Sequence, residues 1–358
     1  MPKEIYLQDK IIGVNHPTFI IAEVGVNHNG DMELAKQLVC EAKRCGADCV
    51  KFQTFKAERV VTEDAPKAEY QRKTTDPEES QAEMLKKLEL GQDVYKELIL
   101  LCREQNIIFM STPYNVEDVD FLDELGVPAF KLASICIAEP YLLKYVARKG
   151  KPMIVSTGMA TLAEVDDAVR AIRETGNEQL ILLQCTTNYP SCLEDANLRA
   201  METMQNALDV LIGYSDHTQD DKACIASVAL GAVLVEKHFT LDKTLPGPDQ
   251  SSSADTKEFA RLAKNIRKTE KVLGTTRKEP CDGEKGNILA MRRSIVAKQN
   301  ISKGTRISEE MLTFKRPASG LLPKFFFDLI GCIALQDIEL DQPITWKMLG
   351  SKYELDDN

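Results

Sequence analysis

Several features are missing from this chain, and each absence removes a class of function. Its ten cysteines contain no Cys-x-x-Cys pair and no regular spacing. That excludes a disulfide framework and predicts reduced thiols, several of them, such as Cys49 and Cys185, inside apolar runs. No stretch approaches the roughly 18 apolar residues of a membrane helix. The Met1–Lys10 segment is polar and lacks the apolar core of a secretory leader, so a cytoplasmic protein with no membrane partner is expected. Basic charge is also short: 45 Lys and Arg against 55 Asp and Glu give a formal net charge of −10. A general nucleic-acid binder is therefore not expected, although a few lysines gathered in one cleft would still suit an anionic substrate. Histidine is scarce, with only His16, His28, His217 and His238.

A rhythm is present instead. Short apolar runs recur at Phe19–Glu23, Cys49–Gln53, Ile107–Thr112, Ala129–Ser134, Met153–Ser156, Leu180–Thr186, Val210–Ser215 and Ala232–His238. Most are separated by stretches with apolar spacing of three and four, such as Met32–Cys45 and Thr256–Leu273. Eight buried strands alternating with helices predict an α/β fold, a (β/α)8 TIM barrel over residues 1–273. A long polar segment, from Lys56 to about Ser80, is expected to cover the barrel mouth. Gly274–Ala290 is polar and reads as a linker. Residues 291–358 carry short strand-like segments punctuated by Gly and Pro, a second β-rich domain small enough to need something to dock on.

In a barrel of this kind the active site lies at the C-terminal strand ends. Two histidines, His217 just after run seven and His238 at the end of run eight, would be neighbours in a closed barrel. Neutral imidazoles there suit a divalent transition metal with open positions for substrate. His28, in the turn Asn27-His28-Asn29-Gly30, is either a third ligand, a substrate contact or a polar turn residue. Lys51 and Lys131 interrupt two runs and need a partner if they point inward. A phosphate or carboxylate ligand would serve, and the hydroxyls of Ser111, Thr112, Ser134, Ser156 and Ser215 would complete an anion cage. Internal Lys–Glu pairs and a Schiff-base lysine are the alternatives. Glu23 ends the first run as a base or as a counter-ion for Lys51. Asp216 reads as support for a histidine, and Asp249 sits in the rigid loop Pro246-Gly247-Pro248-Asp249.

Five ordered motifs are together specific. They are Glu23-Val24-Gly25-Val26-Asn27-His28-Asn29-Gly30, Lys51-Phe52-Gln53-Thr54-Phe55-Lys56, Ser156-Thr157-Gly158-Met159, Tyr214-Ser215-Asp216-His217, and Glu236-Lys237-His238-Phe239-Thr240-Leu241-Asp242-Lys243. The chain resembles the bacterial sialic acid synthases, a family that includes the legionaminic and pseudaminic acid synthases. Its tail, through Arg293-Ser294-Ile295-Val296-Ala297 and Lys315-Arg316-Pro317, resembles the antifreeze-protein-like SAF domain. The resemblance covers essentially the whole chain.

That resemblance implies a transferase that condenses phosphoenolpyruvate (PEP) with an open-chain acetamido sugar. The product is a nine-carbon 2-keto-3-deoxy acid, and phosphate is released. N-acetylmannosamine is the implied acceptor, with 2,4-diacetamido-6-deoxy sugars as the alternative. It implies His217 and His238 as ligands to Mn²⁺, with Mg²⁺ or Co²⁺ as alternatives, and Glu23 positioning PEP or the attacking water. Lys51, Thr112, Lys131, Ser134, Ser156 and Ser215 match PEP-holding positions. Gln53, Tyr189 and Asp249 match sugar contacts, and Arg316 matches an arginine delivered by the tail of a second subunit in a domain-swapped homodimer. Two departures bear on the acceptor: Ser134-Ile135-Cys136 stands where many relatives read Ser-Gly-Glu, and Gln250 where many read His. Both are expected beside the sugar. A Schiff-base aldolase and a non-catalytic carbohydrate-binding protein are the competing classes.

Overall fold

Successive side chains of a strand point to opposite faces, so a strand buried on both faces must be apolar throughout. The runs above meet that condition. In a computed structural model, which describes residues 4–352, they form one sheet of parallel strands rolled into a nearly closed barrel. The stretch expected as a lead-in opens with an antiparallel hairpin, β1 (Glu4–Leu7) and β2 (Lys10–Gly13). The barrel strands follow: β3 (Phe19–Gly25), β4 (Cys49–Thr54), β5 (Ile108–Pro113), β6 (Phe130–Leu132), β7 (Met153–Ser156), β8 (Leu180–Cys185), β9 (Leu211–Asp216) and β10 (Leu234–His238). Their hydrogen-bonded order is β5-β4-β3-β10-β9-β8-β7-β6. The ladder stops between β5 and β6, which lie side by side without strand pairing.

Period two sorts each strand into two cores. Ile20, Val50, Phe52, Phe130, Val155 and Val235 face outward into the layer beneath the helices. Ile21, Cys49, Met110, Ile154, Leu183 and Leu234 face inward and fill the lower half of the barrel. The helices lie outside and present apolar stripes to the first core. Met32–Arg44 buries Ala35, Leu38, Val39 and Ala42, and Asp31 caps it by accepting a hydrogen bond from the Leu34 amide. Thr256–Leu273 buries Phe259, Leu262, Ala263 and Ile266. The helix Arg199–Leu208, which the sequence reading did not include, buries Met201, Met204 and Leu208. No helix among the described residues is long and apolar enough to cross a membrane.

The chain divides into two compact units after Gly274. The second unit opens with a helix, Asp282–Met291, inside the stretch expected as a linker, and none of its residues is buried. Ser294–Ala297 then pairs antiparallel with Leu312–Lys315, and Ile333–Ala334 with Leu349–Gly350. A 3-10 helix, Trp346–Met348, leads into this last strand. Ile295, Ala297, Ile301, Leu329 and Ile344 are the centre of a separate small core.

The hairpin β1–β2 closes the barrel floor, because Ile5, Leu7 and Ile12 pack in the inner apolar cluster with Phe19, Ile108 and Leu234. Leu7 is fully buried. Leu7→Ala is expected to lower the unfolding free energy by about 2–5 kcal/mol, the usual range for a buried Leu-to-Ala change. Chemical denaturation of the variant against wild type measures it.

Candidate active site

Above the apolar half of the lumen, the same inward register turns polar. Glu23 continues the face of Ile21, Lys51 that of Cys49, Thr112 that of Met110, Ser156 that of Ile154, and Glu236 and His238 that of Leu234. These side chains line a cavity of about 890 Å³ at the C-terminal strand ends. Gln53, Lys131, Ser134, Tyr189, Ser215, His217 and Asp249 line it too. Most of the barrel residues expected at the site therefore share one chamber. Ser111 does not. It lies one position out of register, and its hydroxyl hydrogen-bonds the Thr54 hydroxyl at 2.6 Å on the outer face.

The two lysines are each only 2 % exposed, and carboxylates meet both. Lys51 Nζ lies 2.5 Å from Glu23 Oε2 and donates to Thr112 Oγ1 at 3.0 Å. Lys131 Nζ donates to Ser156 Oγ at 2.8 Å and lies 3.4 Å from Glu236 Oε1. Glu236 Oε2 is 3.8 Å from Lys51 Nζ. Two ammonium groups thus alternate with two carboxylates. Glu236 is the site residue that the sequence reading missed, although counting back two positions from His238 along the strand finds it.

Burial pushes Glu23 up to about 7, against the pull of Lys51. Burial would raise Glu236 as well, but Lys131 and Lys51 hold it below the usual carboxylate range. Lys51 stays above its ordinary value despite burial, because Glu23 and Glu236 flank it. Burial lowers Lys131, and Glu236 offsets only part of that. Of the two carboxylates in this cage, Glu23 is accordingly the one raised and Glu236 the one lowered.

His217 and His238 face each other with ring centroids 5.4 Å apart. His217 Nδ1 lies 2.6 Å from the Thr186 carbonyl oxygen. The ring donates there, which leaves Nε2 as the lone pair of the neutral form. Burial opposes a proton on His217, yet the Cys185 thiol and the Thr186 carbonyl draw its pKa above the ordinary value. The Thr186 carbonyl fixes the ring's tautomer, as an outer hydrogen-bond partner does for a metal-ligating histidine. His238 is driven well below the usual histidine range by burial and by His217, and its Nδ1 is buried without a hydrogen-bond partner. A neutral imidazole with an orphaned nitrogen fits a metal ligand. Among the described residues no three His, Cys, Asp or Glu side chains form a metal-holding group. His217 and His238 as the protein ligands would leave the other positions of a metal to substrate and water. Tyr189 packs on both rings, at 4.1 Å from His217 and 5.7 Å from His238. Asp249, buried, is pushed up to about 6 by desolvation.

The turn after β3 is a scaffold. Asn27 Nδ2 donates to the Phe239 carbonyl and to Ser253 Oγ, and Asn29 Nδ2 to the Pro246 carbonyl, so both hold the loop that carries Asp249. His28 is not a ligand to the cavity. Its ring stacks on Phe52, its Nδ1 accepts from the Gly30 amide, and burial lowers it to about 4. Asp216 hydrogen-bonds no histidine, and only its charge favours a proton on His217. It faces outward and binds Lys237 Nζ at 2.6 Å and the Tyr214 hydroxyl at 3.1 Å. Of the two departures, Ile135 lines the cavity but Gln250 does not. Gln250 is locked in the loop by hydrogen bonds to the Asn27 carbonyl and the Thr240 hydroxyl.

Residues 56–88 do cover the mouth, in three short helices, Ala57–Val60, Glu69–Thr74 and Gln81–Lys87. Tyr70 and Gln71 line the cavity from above, and Tyr70 packs on Tyr189 at 5.0 Å. Thr74 Oγ1 donates to the Pro248 carbonyl and ties this cover to the Asp249 loop. Buried Lys67 braces it through Thr75 Oγ1 and Glu79. Arg316 belongs to the second unit, exposed after the strand Leu312–Lys315.

The NeuB family model matches residues 38–278, and the SAF domain model matches residues 292–350. An N,N'-diacetyllegionaminic acid synthase of Campylobacter jejuni is 45% identical over 91% of this chain and 98% of its own. The N-acetylneuraminate-9-phosphate synthase of Homo sapiens is 38% identical over 98% of both chains. A crystal structure of N-acetylneuraminic acid (sialic acid) synthetase from Leptospira borgpetersenii serovar Hardjo-bovis, in complex with citrate, is 35% identical. It aligns with a TM-score of 0.72 over 80% of this chain and 96% of that one.

Ser134 is oriented by a close backbone approach: the Gly158 amide donates to its Oγ at 3.0 Å. A Cβ at position 158 would lie 2.3 Å from Thr187 Oγ1 and 2.8 Å from Ser134 Oγ. Gly158→Ala is therefore expected to displace both hydroxyls and to lower kcat/KM about tenfold or more, with little change in thermal stability. Steady-state kinetics and a thermal melt on the same preparation check it.

Proposed function

This chain belongs to the NeuB family, and from that premise we propose that it condenses PEP with an open-chain acetamido sugar to give a nine-carbon 2-keto-3-deoxy acid and phosphate. The observation that carries the reading is the pair of buried lysines, ringed by hydroxyls, in the same cavity as two facing histidines. PEP C3 attacks the sugar aldehyde and forms the new C–C bond. Water adds at PEP C2, and the C–O bond to phosphate then breaks. Lys51, Lys131, Thr112, Ser134, Ser156 and Ser215 hold the PEP anion by charge and hydrogen bonds. Glu23, near 7 at rest, takes the proton of the attacking water. Gln53, Tyr189 and Asp249 contact the sugar.

His217 and His238 would hold the divalent ion, Mn²⁺ with Mg²⁺ or Co²⁺ as alternatives, which supplies Lewis acidity toward the aldehyde oxygen. All ten cysteines are free, which suits the reducing cytoplasm. For the acceptor we propose a 2,4-diacetamido-6-deoxy sugar, leading to a legionaminic-type acid, because the 45% identical relative bears that name. N-acetylmannosamine is the second reading, supported by the sialic acid synthetase that the fold matches.

The test is phosphate release from PEP against a panel of acetamido sugars. The diacetamido sugar is expected to give the highest kcat/KM, chelation to abolish turnover, and Mn²⁺ to restore it. No phosphate release with any member of the panel would overturn the reading, and pyruvate trapped on a lysine by borohydride would replace it with an aldolase.

We further propose a homodimer in which each small domain delivers Arg316 to the barrel of the other subunit. Mixing His217→Ala with Arg316→Ala subunits is expected to restore activity, because one site of each mixed dimer is then intact. No recovery despite demonstrated subunit exchange would exclude the swap.

A further inference from the structure

Glu236 touches more of the anion cage than any role given to it above requires. It projects from β10, paired in register with Ser215 on β9 and Ile21 on β3. Its Oε1 accepts from Ser215 Oγ at 3.2 Å and lies 3.4 Å from Lys131 Nζ. Its Oε2 lies 3.8 Å from Lys51 Nζ and has no hydrogen-bond partner. Among the described ion pairs it is the carboxylate that meets both lysines, whereas Glu23 meets Lys51 alone.

Each lysine also has nearer partners of its own, Glu23 and Thr112 for Lys51, and Ser156 for Lys131. A carboxylate that served only to neutralise one of them would close to hydrogen-bond distance. This one stands between the two, fixed by a serine on the neighbouring strand. Two ammonium groups in one lumen repel, and a fixed negative charge between them sets how far apart they settle.

We propose that Glu236 is a positioning residue that sets the spacing and aim of the Lys51 and Lys131 ammonium groups for PEP. The inference rests on the PEP reading above. It gives a sign that a counter-ion role does not. If Glu236 only balanced charge, the arriving anion would make it redundant, and its neutral isostere would turn over normally. If it positions the lysines, Glu236→Gln removes a negative charge from an anion site and so binds PEP as well or better. The lysines lose their spacing, however, and catalysis falls.

The experiment uses the full-length protein. PEP is titrated calorimetrically without acceptor, and kinetics follow with Mn²⁺ and the active sugar. Glu236→Gln is expected to keep the PEP dissociation constant or lower it by up to about tenfold, while kcat falls about a hundredfold, the usual effect of a misplacement near 1 Å. Glu236→Asp, which keeps the charge on a shorter stem, is expected to recover part of kcat. A Glu236→Gln enzyme with kcat within about threefold of wild type overturns the proposal. So does a parallel loss of PEP affinity and kcat that Asp does not relieve. Should the Gln variant not fold, Glu236→Asp decides alone: reduced kcat at unchanged PEP affinity supports positioning, and unchanged kcat overturns it. Wild-type protein that binds no PEP contradicts the function reading instead, and that result precedes any variant.

Discussion

The burial of two ammonium groups inside the barrel is the constraint on which the rest depends. A lone lysine in an apolar lumen either loses its proton or forces the surroundings to supply charge. Here the surroundings supply it in alternation, Glu23–Lys51–Glu236–Lys131, on four strands. Removing one member would leave its neighbours buried and uncompensated, which is far more destabilising than the intact pair is stabilising. The apolar lower lumen is equally necessary. With Ile154, Leu183, Leu234 and the hairpin residues packed below, the charged layer has solvent and ligand on one side only.

The loops above that layer are held by polar side chains of the barrel itself. Asn27 and Asn29 reach the Asp249 loop, Thr74 reaches the same loop from the cover, and Glu89 takes both Lys56 Nζ and the Ala57 amide at the start of the cover. The cover has an apolar underside of its own, with Val26, Phe55, Met84 and Leu88 buried together. It is thus anchored at both ends and in the middle, which is what a segment needs if it is to exclude water from a reacting anion.

Much of this was legible in the sequence because two periodicities coincide with chemistry. Apolar runs gave the strands, and the polar residue closing each run gave the chamber. Glu23, Gln53, Thr112, Ser134, Ser156, Ser215 and His238 close their runs and line the chamber, Lys51 and Lys131 share the inward parity within theirs, and His217 follows two residues after Ser215. The rule failed where a residue's face depends on parity. Ser111 and Asp216 sit beside true site residues but one position out of register, so they point to the helices. Glu236 was overlooked for the converse reason, hidden between an apolar residue and a lysine in a motif read as a string. His28 stayed open and Gln250 was expected beside the sugar because a polar residue in a turn can serve the ligand or the loop, and only the three-dimensional partner separates the two. The hairpin β1–β2 gave little signal, since its strands are four residues each and half exposed. The helix Asp282–Met291 gave none, because it has no buried face to create a period.

The open seam between β5 and β6 gives the ring a direction of compliance. Seven of the eight strand junctions are laddered and resist shear as one ribbon. The eighth has no strand pairing, so the hydrogen-bonded ladder adds nothing to its resistance to opening. The seam is flanked by Thr112 on one lip and by Lys131 and Ser134 on the other, whereas β9 and β10, which carry Ser215, Glu236 and His238, lie within the continuous ribbon. An opening of that seam would widen the gap between the Thr112 and Lys131 walls of the anion cage, while the histidine wall stays inside the continuous ladder. In mechanical terms the molecule is a split ring whose cut runs through the grip and whose anvil is opposite it.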